Sequence, residues 1–515
     1  MRVFGQKVRN LFKFLYMSLL APAAVCLKID WPEAYYFVLL RMYKQHKDIC
    51  LNPACDSNLS KRIKLKRKIV YCIKKYIAHE PSLTDLSVFI SASTLLINFC
   101  YTGQEFVRSM GILRNTEKMR RRILKDHQLD ELGFEFIPRA FATGSIGAWE
   151  ILGVHIKMGI LGLKTPKKLV LLLDPESRVN NPCYLKYWRQ YITVISDPLL
   201  IQALSPLEKC MTVPINYYMS FQGRVMLSPQ ALGFVRKQWN EEKRPALLKL
   251  SDDDFVKGWK RLSSLGVPNH AWFVCLHVRE SGWNDNSHAG NFRNADIKTY
   301  VPAIKAIVDA GGWVVRMGDL GMTPLPPMDH VIDYAHSDAK SDWMDIFLCS
   351  QCRFLVGTSS GVHTISLVFG VPVVMTNCLP AAAMYQFTVN DLFIPRLCLS
   401  KDDDHYLSFR ELMCPPVSMG AEQYVYDRLN LKVMENTPEE IKDIVMEMLM
   451  RESGTIQYSQ EDGSLQEQFR SLSARCGALY GDDDIVVHAR MGRDFLRKYA
   501  GLLPVGMMEE CRNKG

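Results

Sequence analysis

"VGTSSGVHTISLVFGVP" runs from Val356 to Pro372. The apolar run Phe354, Leu355, Val356 has the texture of a buried strand and stops at Gly357. Thr358, Ser359, Ser360 and Gly361 are small. Apolar residues then recur at helical spacing (Val362, Ile365, Val368, Phe369), Gly370 closes the helix, and Pro372 opens another strand. Strand, short polar turn, helix, strand predicts a βαβ unit in a parallel sheet. At the carboxyl end of the first strand the turn exposes helix N–H groups and the positive end of the helix dipole. That arrangement favours an anion, a phosphate or diphosphate. Gly357 and Gly361 permit close approach, and the hydroxyls add donors. Taken alone, the same turn also reads as a capped helix with no ligand.

The alternation extends outward from this unit. Upstream come strand "AWFVCLHVR", helix "DIKTYVPAIKAIVDAG", strands "WVVRMG" and "HVIDYA", and helix "SDWMDIFLCSQ"; downstream comes strand "VPVVMT". Such alternation predicts a doubly wound, mostly parallel sheet. An earlier series begins at Phe134. A strand, the Gly-bearing turn "GSIGAW", a helix and the strand Leu169–Leu173 precede a further strand, "YITVIS". Mixed-charge helical sequence is expected from there to about Gly266. Thr437, Pro438 and Glu440 form a capping box that starts a helix. Residues 1–132 read as helical and basic.

A chain of 515 residues calls for two or three domains. The net charge of +9 is unevenly placed. Lys61, Arg62, Lys64, Lys66, Arg67, Lys68, Lys74 and Lys75 fall within fifteen positions, a cluster suited to an anionic partner, phospholipid or nucleic acid, or to a solvated helix face; an anionic membrane surface is expected rather than a specific nucleic acid. "FLYMSLLAPAAVCL" (Phe14–Leu27) is uncharged but short for a membrane span. It reads as an interfacial helix or, with "APA" at Ala21–Ala23, as a secretory signal. Fifteen cysteines without framework spacing suit a reducing compartment, and Cys349 and Cys352 read as core residues.

A second candidate element shares the sheet edge. In "FVCLHVRE", period 2 puts His277 and Arg279 on one face at the carboxyl end of the first strand. A fixed arginine suits a diphosphate, and with helix-end amides it can carry charge growing on a departing diphosphate without a metal. Arg293, Asn294 and Asp296 precede a helix, Asp296 being a natural N-cap. Arg316 and Gly318 end the second strand. Ser341 is a natural N-cap, Asp342 lies in the first turn, and Asp345 reads as a surface position. Glu280, Asp285, Glu150 and His155 are candidate general bases. The triplets Asp252–Asp254, Asp402–Asp404 and Asp482–Asp484 sit in charged, loop-like contexts rather than after an apolar strand, so no metal site is expected.

"CLHVRESGW", "NFRNADIKTYVPAIKAIVDAGGWVVRMGD", the stretch from Val331 to Val374 and the tail "ARMGRDFLRKYAGLLP" together resemble a bacterial family of surface-polysaccharide glycosyltransferases with a GT-B-like fold. The His-x-Arg strand is distantly similar to that of O-fucosyltransferases, and the Gly-Thr-Ser-Ser-Gly turn to the donor-phosphate turn of heptosyltransferases. The resemblance implies two Rossmann-like doubly wound α/β domains facing a cleft. It places an acceptor domain at 133–266, a nucleotide-sugar domain at 267–450, and a helical tail at 451–515 packing back on the acceptor domain. It implies sugar transfer from a nucleotide sugar to a glycan or lipid-linked acceptor, with no cofactor beyond the donor. The protein would lie at the cytoplasmic face of a membrane. It implies Arg279, His277 and Glu280 in catalysis. Arg293, Asn294, Arg316, Gly318, Asp342, Gly357, Thr358, Ser359, Ser360 and Gly361 would bind the donor. Ala148 stands where the family tends to carry a histidine. The open alternatives are a nucleotide-sugar epimerase or hydrolase, and a membrane-associated scaffold without activity.

Overall fold

The computed structural model describes residues 103–269, 271–280, 292–420, 423–478 and 485–504. Phe14–Leu27, Lys61–Lys75, the apolar run Leu86–Tyr101 (short for a span and expected as a buried helix), Asp285 and Asp482–Asp484 lie outside these. Residues 108–132 and 204–212 belong to one compact unit, and 133–203 with 213–504 to another. The first carries most of helix α1 (Gly103–Asp126), in which the buried Glu117 carboxylate binds Arg120 at 2.8 Å and Arg121 at 2.9 Å. No helix among the described residues is long and apolar enough to cross a membrane.

The larger unit opens with three parallel strands, β1 (Phe134–Phe136), β2 (Lys168–Leu172) and β3 (Ile192–Ile195), ordered β1-β2-β3. Helix α2 (Ala148–Ile160) joins the first two, and α3 (Pro182–Trp188) follows β2. Each new strand adds on the same side, so this sheet has no reversal of order. The expectation of two doubly wound layers is corrected here: among the described residues this sheet has three strands, and they wind one way.

The segment expected to be helical up to Gly266 holds an antiparallel hairpin, β4 (Tyr218–Phe221) and β5 (Arg224–Leu227). Gln222 and Gly223, at φ 46° and 78°, form a two-residue turn of the kind whose twist matches a hairpin. Helices α4 (Ser228–Glu241) and α5 (Asp252–Ser264) follow. The Asp252–Asp254 triplet is the first turn of α5, not a loop. Ser251 caps it, and Asp254 accepts hydrogen bonds from Tyr187 and, at 2.9 Å, from the Trp343 indole.

Seven parallel strands form the main sheet: β6 (Phe273–His277), β7 (Trp313–Arg316), β8 (Val331–Ile332), β9 (Leu355–Gly357), β10 (Val373–Cys378), β11 (Leu392–Pro395) and β14 (Arg490–Met491). A small antiparallel pair, β12 (Cys398–Ser400) and β13 (Leu431–Val433), lies between β11 and β14 in sequence. Helices α6 (Val301–Asp309), α7 (Asp342–Gln351), α8 (His363–Val368), α9 (Pro438–Glu452) and α10 (Gln460–Ala478) accompany the main sheet. Strand β6 is buried at every position, which is why it reads as one unbroken apolar run.

The order β14-β11-β10-β9-β6-β7-β8 shows that the chain builds outward from β6 in one direction through β8, then returns to β6 and builds the other way from β9. Here the doubly wound reading holds. The reversal falls between β6 and β9, in register from Cys275 opposite Leu355 to His277 opposite Gly357. The tail is not wholly helical. It supplies edge strand β14 against β11, and Phe469 of α10 packs on Phe393 of β11 and on Phe409. Cys275, Cys349 and Cys352 are fully enclosed around α7.

Candidate ligand site at the strand-order reversal

In a doubly wound sheet, the helices after the two central strands leave in opposite directions and open a crevice at the carboxyl edge. Both elements singled out in the sequence meet at that crevice. The Arg279 N–H donates to the Thr358 hydroxyl at 2.9 Å, and Ser360 Oγ lies 3.1 Å from His277 Nδ1. Thr358 N–H also donates to the His277 carbonyl. The turn is thus laced to strand β6, and Ser359, Ser360 and Gly361 stand half-buried at its rim. Among the described residues their amide N–H groups have no acceptor.

Across the crevice stands the turn that starts α2. A Cβ on Gly361 would lie 2.8 Å from Ile146 Cγ2 and 3.0 Å from Gly147 N. Gly361 is therefore required by a second turn, Ser145–Gly147, rather than by room for a ligand alone. The beginnings of α2 and α8 consequently face one another. The sequence displays both turns, but nothing in either signals that they touch.

Cationic side chains gather on the β6 side. Arg279 donates to Asn294 Oδ1, and Arg396, just past β11, donates to the Asn294 carbonyl. Arg293 lies over the Phe292 ring, its charge felt by Arg279. Burial first, and then Arg293, hold the Arg279 guanidinium below its ordinary pKa. Burial does the same to Arg293. Arg396 has Glu435 at 3.8 Å, whereas Arg293 has no carboxylate within ion-pair distance among the described residues. Arg396 escaped the sequence reading because it lies one residue past a strand separated from Arg279 by more than a hundred positions.

Other expected site residues are placed elsewhere. Arg316 has no exposed surface. It binds Asp333 at 3.3 Å and the Thr323 carbonyl at 2.9 Å, with Glu280 at 3.5 Å. Glu280 also accepts from Thr323 N–H at 2.7 Å. Together these brace the loop after β7, which contains Gly318, and Arg316 offers no surface to a ligand. Asp296 caps the turn before α6. Asp342 is exposed at the start of α7, its carbonyl accepting from Asn181 at 2.9 Å. Asp345, expected at the surface, is instead held between Lys340 at 2.5 Å and the Tyr334 hydroxyl at 2.8 Å, and burial raises its pKa. Glu150 is buried against Arg236. His155 is bound to Glu135 at 2.6 Å. Asp402–Asp404 lie in the turn after β12, where Asp403 pairs with His405. No cluster of three or more metal-ligating side chains occurs among the described residues.

Two histidines flank the turn. Burial, reinforced by the Arg316 charge, pushes His277 down to about 4. Burial and Arg236 push His363, which the sequence reading passed over, down to about 3. Both are neutral at pH 7. Because each folded pKa is depressed, the unfolded chain binds more protons than the folded one below pH 6.5. Stability is therefore expected to fall as pH drops from 6.5 towards 4, by up to about 1.4 kcal/mol per histidine per pH unit. Denaturation midpoints at pH 7 and pH 5 measure this, and His363→Leu should flatten the slope. An unchanged slope in that variant would refute the assignment.

No protein-family profile matches the chain, and no curated protein does. Among solved structures it is similar to the iron-containing dodecameric glycosyltransferase TibC of enterotoxigenic E. coli. The identity is 14%, over 48% of this chain and 59% of that one, with a TM-score of 0.28. A structure of TibC, there called a heptosyltransferase, in complex with ADP-D-β-D-heptose gives 15%, 48%, 59% and 0.28. A glycosyl transferase of family 9 from Veillonella parvula gives 12%, 47%, 66% and 0.23. The chain thus spans less than two thirds of the length of the TibC chains it matches.

Proposed function

We propose that the crevice between β6 and β9 binds the diphosphate of a nucleotide sugar and that the protein is a glycosyltransferase of GT-B-like architecture. One observation carries the reading. The Thr358–Gly361 turn and the Arg279–Arg293 pair open onto the same carboxyl edge at the reversal of strand order. Turn amides and guanidinium groups there would hold the diphosphate and take up the charge that grows on it as the sugar leaves. Asn294 positions Arg279, and neutral His277 fixes the turn through Ser360. Arg316 and Glu280 act one layer behind, holding the loop after β7. On this reading the acceptor is a glycan or lipid-linked sugar presented by the 133–266 layer. Residues 1–132 would keep the protein at the cytoplasmic face of a membrane.

The test is equilibrium binding of nucleoside diphosphates and their sugar conjugates to the full chain. Saturable binding competed by free nucleoside diphosphate supports the proposal, and failure of every nucleotide to bind refutes it. Transfer is further expected to survive removal of divalent metal. Turnover lost in chelator and restored by manganese would overturn that part.

A second reading, nucleotide-sugar binding without transfer, is favoured by one specific observation. Of the acid–base candidates within the described residues, Glu150, His155 and Glu280 are all engaged in structural contacts. Binding that yields no product with any acceptor, and no hydrolysed sugar, would select it.

A further inference from the structure

At the opposite, amino edge of the main sheet, where β10 and β11 begin, lies a cavity of about 250 Å3. Lys157 of α2, Arg236 and Trp239 of α4, and Arg244 line one side. Residues Leu367–Pro372 and Thr388–Asp391 line the other. The polar groups on this wall are unequally satisfied. Arg236 has Glu150, and Arg244 has Glu242 at 2.7 Å. Asp391 turns its carboxylate back into its own loop, accepting from Val373 N–H at 3.0 Å and Thr388 N–H at 2.8 Å. Lys157 differs. Only 8% of it is exposed, yet among the described residues it makes no ion pair and no hydrogen bond. Its one compensation is the Trp239 ring, 4.9 Å from the ammonium, and Arg244 lies 5.6 Å from the same ring.

The Lys157 side chain is mostly buried while its ammonium opens into the cavity, and a charge held there with no protein acceptor favours an anion beside it. The cavity beside it has room for several water volumes of ~30 Å3 each. Among the lining side chains three are cationic (Lys157, Arg236, Arg244) and one is a carboxylate (Asp391), and the space is compact. We propose that this cavity binds a compact oxyanion of the phosphate class, seated on the Lys157 ammonium and independent of the crevice at the other sheet edge. Bound there, the anion would bridge the 133–266 segment to the loops before β10 and β11.

The experiment uses the full chain with inorganic sulfate and phosphate as probes, against chloride at matched ionic strength. Thermal midpoints should rise by a few degrees and saturate with sulfate or phosphate but not with chloride. Lys157→Met should abolish that rise while leaving the anion-free midpoint equal to wild type or higher, because it removes an unpaired buried charge. Arg279→Ala should retain the rise in full, which separates this site from the nucleotide site. Burial pushes the Lys157 pKa down to about 8, so the unliganded group loses its proton above that pH. Sulfate, whose charge does not titrate there, should bind wild-type protein about tenfold more weakly per pH unit above pH 8. This arm needs no variant to fold. A saturable rise that persists in Lys157→Met, equal responses to sulfate and chloride, or sulfate affinity unchanged between pH 7 and 10 would each overturn the proposal.

Discussion

Arg236→Ala is expected to destabilise the folded chain by about 3–5 kcal/mol, the usual consequence of leaving one member of a buried ion pair behind. Arg236 is 5% exposed and Glu150, its partner, 2%. The guanidinium also donates to the Gln386 carbonyl, so it ties α2 and α4 to the turn after β10. Removing it strands the Glu150 carboxylate in an apolar setting and frees a buried carbonyl. Replacing both partners by leucine should recover most of the loss, since the desolvation of two charges is then avoided as well. Urea midpoints of the two single variants and the double variant give the coupling directly. Additive effects, or an Arg236→Ala loss below about 1 kcal/mol, would mean that the pair does not hold these elements together.

That pair also marks the boundary of what the sequence discloses. Strands β6, β7, β9 and β10 were legible because a strand buried on both faces is a continuous apolar run, and each is bounded by a glycine, a proline or a charged residue. Ser341, Asp296 and Thr437 were legible as caps because capping chemistry is local. The hairpin at Gln222–Gly223 was overlooked because it is short and set within helical sequence. Glu150 looked like an available base and Asp345 like a surface position because their partners, Arg236 and Lys340, are identified only by the folded arrangement. The role of Gly361 was half legible. A glycine before a helix signals close approach, but not that the approaching group is the Ser145–Gly147 turn.

Arg279→Ala is expected to weaken binding of a nucleoside diphosphate, or transfer from its sugar conjugate, at least tenfold, about 1.4 kcal/mol, as for a charged hydrogen bond to phosphate removed. The backbone of residue 279 would stay in place, because its N–H bond to Thr358 Oγ1 and its carbonyl bond from Ala295 do not involve the side chain. The variant should therefore fold with an intact turn, and its loss should be confined to the ligand. Arg293→Ala should weaken binding less, because it also relieves the charge that opposes Arg279. Arg316→Ala should act differently, lowering thermal stability, since it deprives Asp333 and Glu280 of a fully buried partner. Isothermal titration of the three variants with one nucleoside diphosphate, alongside their thermal midpoints, separates these patterns. Wild-type affinity in a folded Arg279→Ala protein would exclude this arginine from the diphosphate site. The crevice would then have to hold its ligand by the Thr358–Gly361 turn and Arg293.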